Sequence, residues 1–558
     1  MVLAASEICD ETSQPTNEAN LNDNQQSKYL QIEEVPLKLR GKNKFKWSGK
    51  TEKKSFRTNK RNLVIHLPGN KAAARGVTSG TSAWSLFFTD DILNNIVIYT
   101  NKEILSQREN YTRDRPAIDE DVANTNVRPS YVRDTNVIEI KALCGLYYYA
   151  GALNMNSVTT KELFNKETGL PFFRATMSES RFAFLTNCLR FDDKDTRKER
   201  RETDRLAPIR DVFQVIISKC SELYTPSEFC TLDEQLISFR GRCPFKMYIP
   251  SKPDKYGMKM LAFCDAKTFY LLNAEIYIGK NSTPQGIPVA EYYTVNLTKP
   301  IHGTNRNLTT DNWFTSVEMA KKLHDDYSIT LVGTIKKNKA EVPELLIQVK
   351  DRLKNSAMFA YSKYLTLLSY CPPKSKQKKI VLLLSTMHPE GDKPNSTVLP
   401  EIVDFYNRTK GGVDTFDQLV HRYTVARKSR RWPLRVFYNL LDIVGINSNI
   451  LCKGSKAPER ELMPNRRAFL KKLGRDLVTP LMRERLKIRS LPSELRQIIG
   501  RILDLKPEDI NLDQRPSSSG RCTFCERKKD RKSRVMCKKC KKFICLNHQS
   551  RVCPDCSN

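Results

Sequence analysis

The middle of the chain alternates between apolar and polar positions with the period of β-strands, and both flanks follow the period of helices. Three strand-like runs come first, close enough to form a meander, and a strand, a helix and a strand follow. This order predicts a mixed sheet covered by helices. The strand-like runs are residues 231–239, 260–264, 269–278, 308–310 and 329–335, with the helical pattern at 313–323.

Helical patterns occupy the segments on either side of this predicted sheet. Residues 82–227 contain several amphipathic runs, including one with a basic edge at 181–188, and helical character returns at 401–503. Residues 338–400 interrupt the pattern with a Cys-Pro-Pro turn, a lysine cluster and one apolar strand. We predict an all-α domain beside the sheet and an inserted subdomain at 338–400.

Residues 1–81 follow neither period, and we predict that they form a disordered tail. The first part is acidic and polar, whereas residues 40–61 are rich in lysine and arginine. The basic part has three open interpretations: a solvated tail, a nuclear localisation signal and an arm that contacts DNA. Residues 504–520 are polar, contain a Pro-Ser-Ser-Ser-Gly run, and are predicted to be a linker.

The charge balance narrows the class of partner. The 558 residues include 94 Lys and Arg against 62 Asp and Glu, which gives a formal net charge of +32. Such an excess favours a polyanionic partner, with nucleic acid ahead of an anionic membrane surface. The sequence has no run of about 18 apolar residues and no signal peptide at its start. We therefore expect an intracellular protein that binds nucleic acid and no membrane.

Seven of the sixteen cysteines lie near the C-terminus in paired spacings. Together with one histidine they form four pairs, which is enough for two tetrahedral Zn²⁺ sites. We predict a cross-brace, in which the first pair shares an ion with the third and the second pair shares an ion with the fourth. The pairs are Cys522 with Cys525, Cys537 with Cys540, Cys545 with His548, and Cys553 with Cys556.

The paired cysteines alone are compatible with a ubiquitin ligase, a histone-tail reader or a DNA-binding domain. Between Arg521 and Lys542 there are eleven Lys or Arg, opposed only by Glu526 and Asp530. A reader of basic peptides needs acidic residues or an aromatic cage, so binding to the DNA backbone is the favoured interpretation. The nine scattered cysteines, several of them within apolar runs, are predicted to be reduced core residues.

Several carboxylates suit a phosphoryl-transfer site that uses two Mg²⁺ ions about 4 Å apart. Asp233 lies within a strand, where Glu234 must face the opposite side, and Asp311 ends another strand. Asp414 begins a helix, with Asp417 one turn further on. Each position also has a structural explanation, as a surface acid, an N-cap or a favourable charge on a helix dipole. Spacing alone leaves both explanations open.

The sequence around these aspartates resembles that of piggyBac-type transposases. Four blocks occur in the order typical of the family and the cysteine-rich tail agrees with them, so the resemblance extends from about residue 40 to the C-terminus. The blocks are Asp-Glu-Gln-Leu at 233–236 with residues 239–250, Asp-Asn-Trp-Phe-Thr-Ser at 311–316, Lys-Gly-Gly-Val-Asp-Thr-Phe-Asp at 410–417, and Arg427-Lys428 with Arg431-Trp432-Pro433.

The resemblance implies an α/β multidomain protein with a ribonuclease H-like catalytic core, in agreement with the strand order. It implies that Asp233, Asp311 and Asp414 bind two Mg²⁺ ions, with Asp417 as a further acidic position, and that Trp432 stacks near the transposon end. The implied domains are a helical dimerisation and DNA-binding domain at 82–227 and 424–503, a catalytic domain at 228–337 and 401–423, an insertion at 338–400, and a zinc domain at 521–558.

The implied activity is cut-and-paste DNA transposition. Members of the family bind terminal inverted repeats, excise the element through hairpin intermediates and integrate it at TTAA sites, which implies a homodimer on double-stranded DNA in the nucleus. All three aspartates and all eight zinc ligands are present, and this favours an active transposase over a domesticated DNA-binding protein. Beside Trp432, the residues predicted to contact DNA are Arg240, Arg242, Lys246, Arg427, Lys428, Arg430, Arg431, Lys528, Lys529, Arg531 and Lys532.

Overall fold

A computed structural model describes most of the chain. The described residues are 30–51, 62–113, 129–250, 252–279, 283–373, 379–391, 399–455 and 465–506, together with 519–526, 529, 531–537, 540 and 542–549 in the tail.

The helices within these ranges are α1 (Gly80–Ser85), α2 (Asp90–Arg113), α3 (Val137–Ala152), α4 (Thr160–Leu163), α5 (Pro171–Thr176), α6 (Glu179–Cys188), α7 (Arg197–Thr203), α8 (Arg210–Leu223), α9 (Val289–Thr298), α10 (Val317–Tyr327), α11 (Glu401–Thr409), α12 (Gly412–Arg422), α13 (Trp432–Gly454), α14 (Arg466–Leu486) and α15 (Ser493–Leu503).

The strands are β1 (Gln31–Ile32), β2 (Leu39–Arg40), β3 (Lys46–Trp47), β4 (Gly69–Asn70), β5 (Tyr224–Thr225), β6 (Phe229–Ser238), β7 (Lys246–Tyr248), β8 (Tyr256–Asp265), β9 (Leu271–Ile276), β10 (Asn307–Thr310), β11 (Thr330–Thr334), β12 (Ser356–Ser362), β13 (Leu365–Cys371), β14 (Val381–Ser385), β15 (Gly520–Arg521) and β16 (Lys532–Ser533).

In the described part of the chain, ten strands form one mixed sheet. Its order is β1-β12-β13-β14-β11-β10-β6-β8-β7, and β9 also pairs with β8. The antiparallel meander of β6, β8 and β9 and the parallel pair of β10 and β11 on either side of α10 are the elements that the alternation predicts. The predicted order of four strands, a helix and a strand is therefore confirmed, with the short β7 and the helix α9 as additions.

Residues 338–400 are predicted to be an inserted subdomain that does not continue the sheet, but the strands described within them do continue it. β14 pairs antiparallel with β11, and β13 joins β14 to β12, so all three strands extend the central sheet. Every residue of β13 is buried. A strand covered on both faces need not alternate between apolar and polar residues, so its sequence does not indicate which sheet it joins.

The structure describes two parts of the predicted N-terminal tail, residues 30–51 and 62–81, and both contain ordered elements. The prediction of disorder is therefore wrong for these two parts. β1 lies parallel to the edge strand β12, with Leu30 fully buried beside it. The Glu33 carboxylate lies 3.3 Å from Nε of the buried Arg352. Two-residue strands are too short to show any period, which explains the error. Residues 1–29 and 52–61 lie outside the described residues.

The helices before β5 and after α12 pack together on one side of the molecule. α3 and α14 make close contact at two glycines, where a Cβ on Gly145 would lie 2.7 Å from the Gly474 carbonyl oxygen. Only residues without a side chain permit this approach of the two backbones.

None of the helices in the described ranges is long and apolar enough to cross a membrane.

Arg181 in α6 is buried and does not form the basic edge expected from the sequence. Its Nε donates to the Glu139 carboxylate at 2.9 Å, and its Nη1 donates to the carbonyl oxygens of Tyr131 and Arg133. A buried guanidinium is stable only when its donors are satisfied in this way. The scattered cysteines within the described residues form no disulfides, and all but the half-buried Cys243 are buried, as predicted; Cys9 lies outside these residues.

Candidate active site

Two neighbouring parallel strands place Asp233 and Asp311 side by side. The register of β10 with β6 runs from Asn307 opposite Phe229 to Thr310 opposite Leu232, so the next position aligns Asp311 with Asp233. Backbones of paired strands lie about 4.8 Å apart, which brings these two carboxylates to one level of the sheet. The turn after β10 is closed by the Trp313 amide, which donates to Oδ1 of Asp311 at 2.9 Å.

The face of β6 that contains Asp233 is covered by the end of α11 and the start of α12. Thr231 donates its hydroxyl to the Thr409 carbonyl at 2.7 Å, and the Gln235 amide donates to Oδ1 of Asp417 at 2.8 Å. Alternate residues of a strand share a face, so Asp233, which lies between these two contacts, also faces the helices. The opposite face holds Glu234, as the alternation predicted.

Asp414 lies in the first turn of α12, opposite Asp233. The helix can approach β6 this closely because it begins with Gly412, where a Cβ would lie 2.5 Å from the Thr231 hydroxyl oxygen. Asp414 remains exposed, and Lys252 Nζ lies 3.6 Å from its Oδ1. The structure therefore brings Asp233, Asp311 and Asp414 together from β6, β10 and α12.

These carboxylates impose an electrostatic cost on one another. Burial, with added repulsion from Asp311, Asp414 and Glu234, raises the pKa of Asp233 to about 7. Burial also raises the pKa of Asp311. Because desolvation and like charges both disfavour the ionised form, the site gains stability when positive charge is added.

The donor set fits a hard divalent cation. Its oxygens come from carboxylates, and the cations beside them are Lys252 near Asp414 and Lys259, whose Nζ lies 3.0 Å from Oε2 of Glu234. Among the described residues, the cluster of side chains close enough to hold a metal ion without further ligands lies in the C-terminal tail and not among these aspartates. Mg²⁺ usually keeps several water ligands, so a site of this kind does not need carboxylates that touch one another.

Comparison with known proteins agrees with this geometry. The family model described as Transposase IS4 matches residues 80–449, which is more than half of the chain. The chain is also similar to a solved cryo-EM structure of a piggyBac transposase synaptic complex with hairpin DNA, at 38% sequence identity and a TM-score of 0.76. The match covers 88% of this chain and 100% of that one. The chain belongs to the piggyBac family of DDE transposases.

Two curated human proteins are more distant relatives. PiggyBac transposable element-derived protein 3 is 21% identical over 328 residues, which cover 54% of this chain and 53% of that protein. The chimeric ERCC6-PGBD3 protein has the same identity over 54% of this chain and 30% of its own length. The chain thus spans about half the length, or less, of the curated relatives that it matches.

Membership of the piggyBac family implies a ribonuclease H-like fold, a divalent metal and DNA cleavage with strand transfer.

Some residues of the site were not predicted from the sequence. Gln235 shares the alternating face of Asp233, and His421 follows Asp417 by one helical turn, with Nδ1 at 2.8 Å from the Asp417 carbonyl oxygen. Both spacings are visible in the sequence. Lys252 and Lys259 have no comparable local signal, because tertiary contacts alone place them here.

Most of the basic residues predicted to contact DNA lie on the surface of this family member. Several of these exposed lysines and arginines lie in the segment after β6 and in the segment between α12 and α13. Exposure leaves them available for phosphate contacts. The exposed residues are Arg240, Arg242, Lys246, Lys428, Arg430, Lys529, Arg531 and Lys532, whereas Lys528 lies outside the described residues.

Three predicted DNA contacts point into the protein. Arg427 donates to the Val158 carbonyl at 2.9 Å, and Arg431 donates to carbonyls at the end of α6. Burial lowers the pKa of Arg431 to about 10. Trp432 is 8% exposed, and its ring meets Phe245 edge-on at 5.1 Å between centroids. In this conformation the three side chains stabilise the fold, because buried donors and a large ring need protein partners. A stacking role for Trp432 stays a prediction.

The C-terminal tail brings the first and third cysteine pairs together, as predicted. Cys525 Sγ lies 3.6 Å from Cys545 Sγ, and His548 Nδ1 lies 3.5 Å from Cys522 Sγ and 3.3 Å from Cys545 Sγ. These separations match the edges, roughly 3.4–3.8 Å, of a tetrahedron with Zn–S and Zn–N bonds. The cluster is suited to one zinc ion. The second site stays a prediction, since Cys553 and Cys556 lie outside the described residues while Cys537 and Cys540 lie within them.

Proposed function

We propose that this chain is an active cut-and-paste DNA transposase. It binds the terminal inverted repeats of its element, excises the element through hairpin intermediates and integrates it at TTAA sites. The main support is the meeting of Asp233, Asp311 and Asp414 at one place in a chain of the piggyBac family. The similar solved structure, a synaptic complex with hairpin DNA, supports the proposed intermediate.

In this proposal, Asp233, Asp311 and Asp414 hold two Mg²⁺ ions, and Asp417 is an additional acidic position. Bound divalent cations supply Lewis acidity and neutralise charge at the phosphate during in-line displacement. Asp233 must lose its proton before it can act as a ligand, since burial and its acidic neighbours raise its pKa to about 7. The Gln235 side-chain amide donates a hydrogen bond that orients Asp417, and Gly412 permits α12 to lie close to β6 because it has no side chain.

The remaining parts of the chain have supporting roles in the proposal. The helical region serves dimerisation and DNA binding, and the exposed cations near the site contact phosphates, in line with the net charge of +32. The tail binds two structural Zn²⁺ ions and recognises transposon ends. The protein acts in the nucleus, where its DNA substrate lies.

An excision assay in cells tests the proposal. A plasmid with the element's own ends inside a disrupted reporter is supplied with the intact chain, with Asp311→Asn, or with Asp326→Asn. Asp326 is an exposed aspartate of α10, so its variant is a matched control for loss of one carboxylate. We expect precise TTAA repair with the intact chain and the control, and a loss of at least about 100-fold for Asp311→Asn, because a metal ligand is removed.

Each alternative outcome has a distinct meaning. Equal excision by Asp311→Asn and the intact chain contradicts the metal role of Asp311. Failure of the intact chain, combined with tight binding to the ends in a mobility-shift experiment, favours a domesticated DNA-binding protein. Excision without TTAA repair contradicts the target-site part of the proposal and leaves the cleavage part in place.

A further inference from the structure

The hairpin of β7 and β8 exposes two neighbouring tyrosines to solvent. Tyr248 is 54% exposed and Tyr256 is 44% exposed, and no other tyrosine in the described part of the chain is exposed. The register pairs the two residues across the hairpin, and their ring centroids lie 4.9 Å apart at an interplanar angle of 43°. Contact across the strands explains why the rings touch each other, but not why their outer surfaces stay uncovered.

Both tyrosines lie on the face of the sheet that contains Asp233. β8 pairs with β6 so that Ala262 lies opposite Asp233, and Tyr256 precedes Ala262 by an even number of residues on the same strand. Side chains alternate along a strand, and directly paired residues of neighbouring strands share a face. Tyr256 therefore shares the face of Asp233, and so does Tyr248 as its partner in β7.

The turn of the same hairpin contacts the elements that hold the aspartates. The Ile249 amide donates to the Lys255 carbonyl at 2.7 Å and closes the turn. Within the turn, Lys252 Nζ donates to the Glu234 carbonyl at 3.0 Å and lies 3.6 Å from Oδ1 of Asp414. The tyrosines thus flank a turn that reaches the carboxylates.

The surroundings of the tyrosine pair are basic. Residues 239–256 contain five Lys or Arg against one Asp, and Arg240, Arg242 and Lys246 among them are exposed. Open aromatic rings beside cations are the combination with which proteins bind exposed nucleobases, because the rings stack on the bases and the cations contact the phosphates. Trp432, which is 8% exposed, offers no such open ring in this structure.

We propose that Tyr248 and Tyr256 form a stacking site for an unpaired nucleobase of the DNA bound at the carboxylates. In an intact duplex, the faces of each base are covered by its neighbours, so a ring can stack only on a base at a strand end or on one turned out of the helix. This inference rests on the proposed function, because cleavage at the end of the element is the step that frees bases from the duplex.

Binding of two DNA duplexes tests the site without cleavage. Both contain the element's own end; one has a four-nucleotide unpaired extension and the other is fully paired. Each is titrated with the full zinc-loaded chain without added Mg²⁺, as the intact protein, Tyr248→Leu, Tyr256→Leu and the matched control Tyr248→Phe. We expect the dissociation constant of the extended duplex to rise about 10-fold for the leucine variants and to stay unchanged for the control, which keeps the ring.

The fully paired duplex separates stacking from contact with the DNA backbone. We expect the leucine variants to bind it like the intact chain, whereas Lys246→Ala should weaken both duplexes equally and lower the salt dependence of binding. Leucine variants that bind the extended duplex as tightly as the intact chain overturn the inference. An equal loss for both duplexes also overturns it, because the rings would then contact paired DNA.

Fluorescence of 2-aminopurine in the unpaired extension gives a direct readout of stacking. We expect binding of the intact chain and of Tyr248→Phe to quench the fluorescence, and binding of the leucine variants at saturation to leave it unquenched. Equal quenching by the leucine variants overturns the inference. If Tyr256→Leu lowers the melting temperature, Tyr248→Leu decides the matter, because Tyr248 lies in the edge strand β7.

The two proposals can fail independently. If the intact chain cleaves no DNA but prefers the extended duplex through its tyrosines, the proposed activity fails and the stacking site stands. If the intact chain cleaves DNA and the leucine variants bind the extended duplex normally, the activity stands and the stacking site fails. Asp311→Asn keeps both tyrosines, so we expect it to bind the extended duplex and quench the fluorescence like the intact chain.

Discussion

At the scale of single residues, position in the fold decides the chemistry of identical side chains. Asp326 is exposed on α10, whereas Asp233, on the face of β6 that α12 covers, is largely buried beside other acidic residues. Burial and like charges raise the pKa of Asp233 to about 7, against about 3.9 in an unfolded chain. The folded protein thus binds a proton that the unfolded chain has released, and this makes the site sensitive to pH.

This shift predicts how the stability of the magnesium-free protein depends on pH. Below about pH 4 Asp233 is protonated in both states. As the pH rises from 4 to 7 only the unfolded chain loses the proton, so the free energy of unfolding falls by up to about 1.4 kcal/mol per unit. Asp233→Asn removes this loss, and we expect it to raise the melting temperature by several degrees at pH 8 and by clearly less at pH 5.

Melting curves at both pH values, in buffer without added Mg²⁺, measure this effect, and Asp326→Asn is the control. Added Mg²⁺ should stabilise the intact chain and leave Asp233→Asn unchanged, since only the former keeps the full ligand set. An equal change in melting temperature at pH 5 and pH 8 would show that ionisation of Asp233 costs the folded state nothing.

At the scale of elements, the central sheet is completed by segments far from its core in sequence. β14 covers the open edge of β11, β13 and β12 follow, and β1 is added at the outer edge. An uncovered edge strand exposes unpaired amides and carbonyls, so each addition satisfies the strand before it. The N-terminal segment is therefore a structural part of the sheet, with Leu30 fully buried.

The role of the N-terminal segment can be tested with two leucines that lie close in sequence. Leu30 is 0% exposed and Leu37 is 59% exposed. We expect Leu30→Ala to destabilise the sheet edge by about 2–5 kcal/mol, because a buried leucine leaves a cavity, and Leu37→Ala to have little effect. Hydrogen exchange of β1 and β12 amides, followed by mass spectrometry, measures the local change. Equal protection in the two variants would show that β1 is dispensable.

At the scale of the whole molecule, the cysteine-rich tail is a short segment whose stability we expect to come from bound zinc. A segment of about 40 residues buries too little apolar surface to fold without help, so we expect bound metal to supply its folding free energy. The cluster of Cys522, Cys525, Cys545 and His548 suits one ion. The rest of the chain has a separate apolar core, which does not depend on this ion.

Loss of zinc is therefore predicted to unfold the tail and spare the core. We expect Cys545→Ala to lose one bound Zn²⁺ per chain, while the main melting transition is unchanged and binding to transposon ends becomes weaker. Cys243→Ala is the matched control, since Cys243 is a half-buried cysteine outside the tail. Metal analysis, melting curves and mobility shifts give the three readouts. A full zinc content in Cys545→Ala would contradict the assignment of this ligand.

Much of the fold and the site was predictable from local pattern. The alternation within β6 placed Asp233 and Glu234 on opposite faces, and the order of strands around α10 was correct. The cysteine spacing predicted the grouping of the first and third pairs. Period and spacing are properties of neighbouring residues, so a sequence displays them directly.

The tertiary structure alone decided which elements and side chains meet. The pairing of β1 and of β12 to β14 with the central sheet, the burial of Arg181 and Trp432, and the hydrogen bond of Arg431 to the Asn187 carbonyl all depend on contacts between distant residues. A local pattern shows that a residue is to be buried or charged, but not what will cover or neutralise it. For this protein, the sequence therefore determined its central strands and helices, its family and its candidate metal-binding residues, whereas packing of distant segments determined the partners of each, because burial and charge are settled only by neighbours in space.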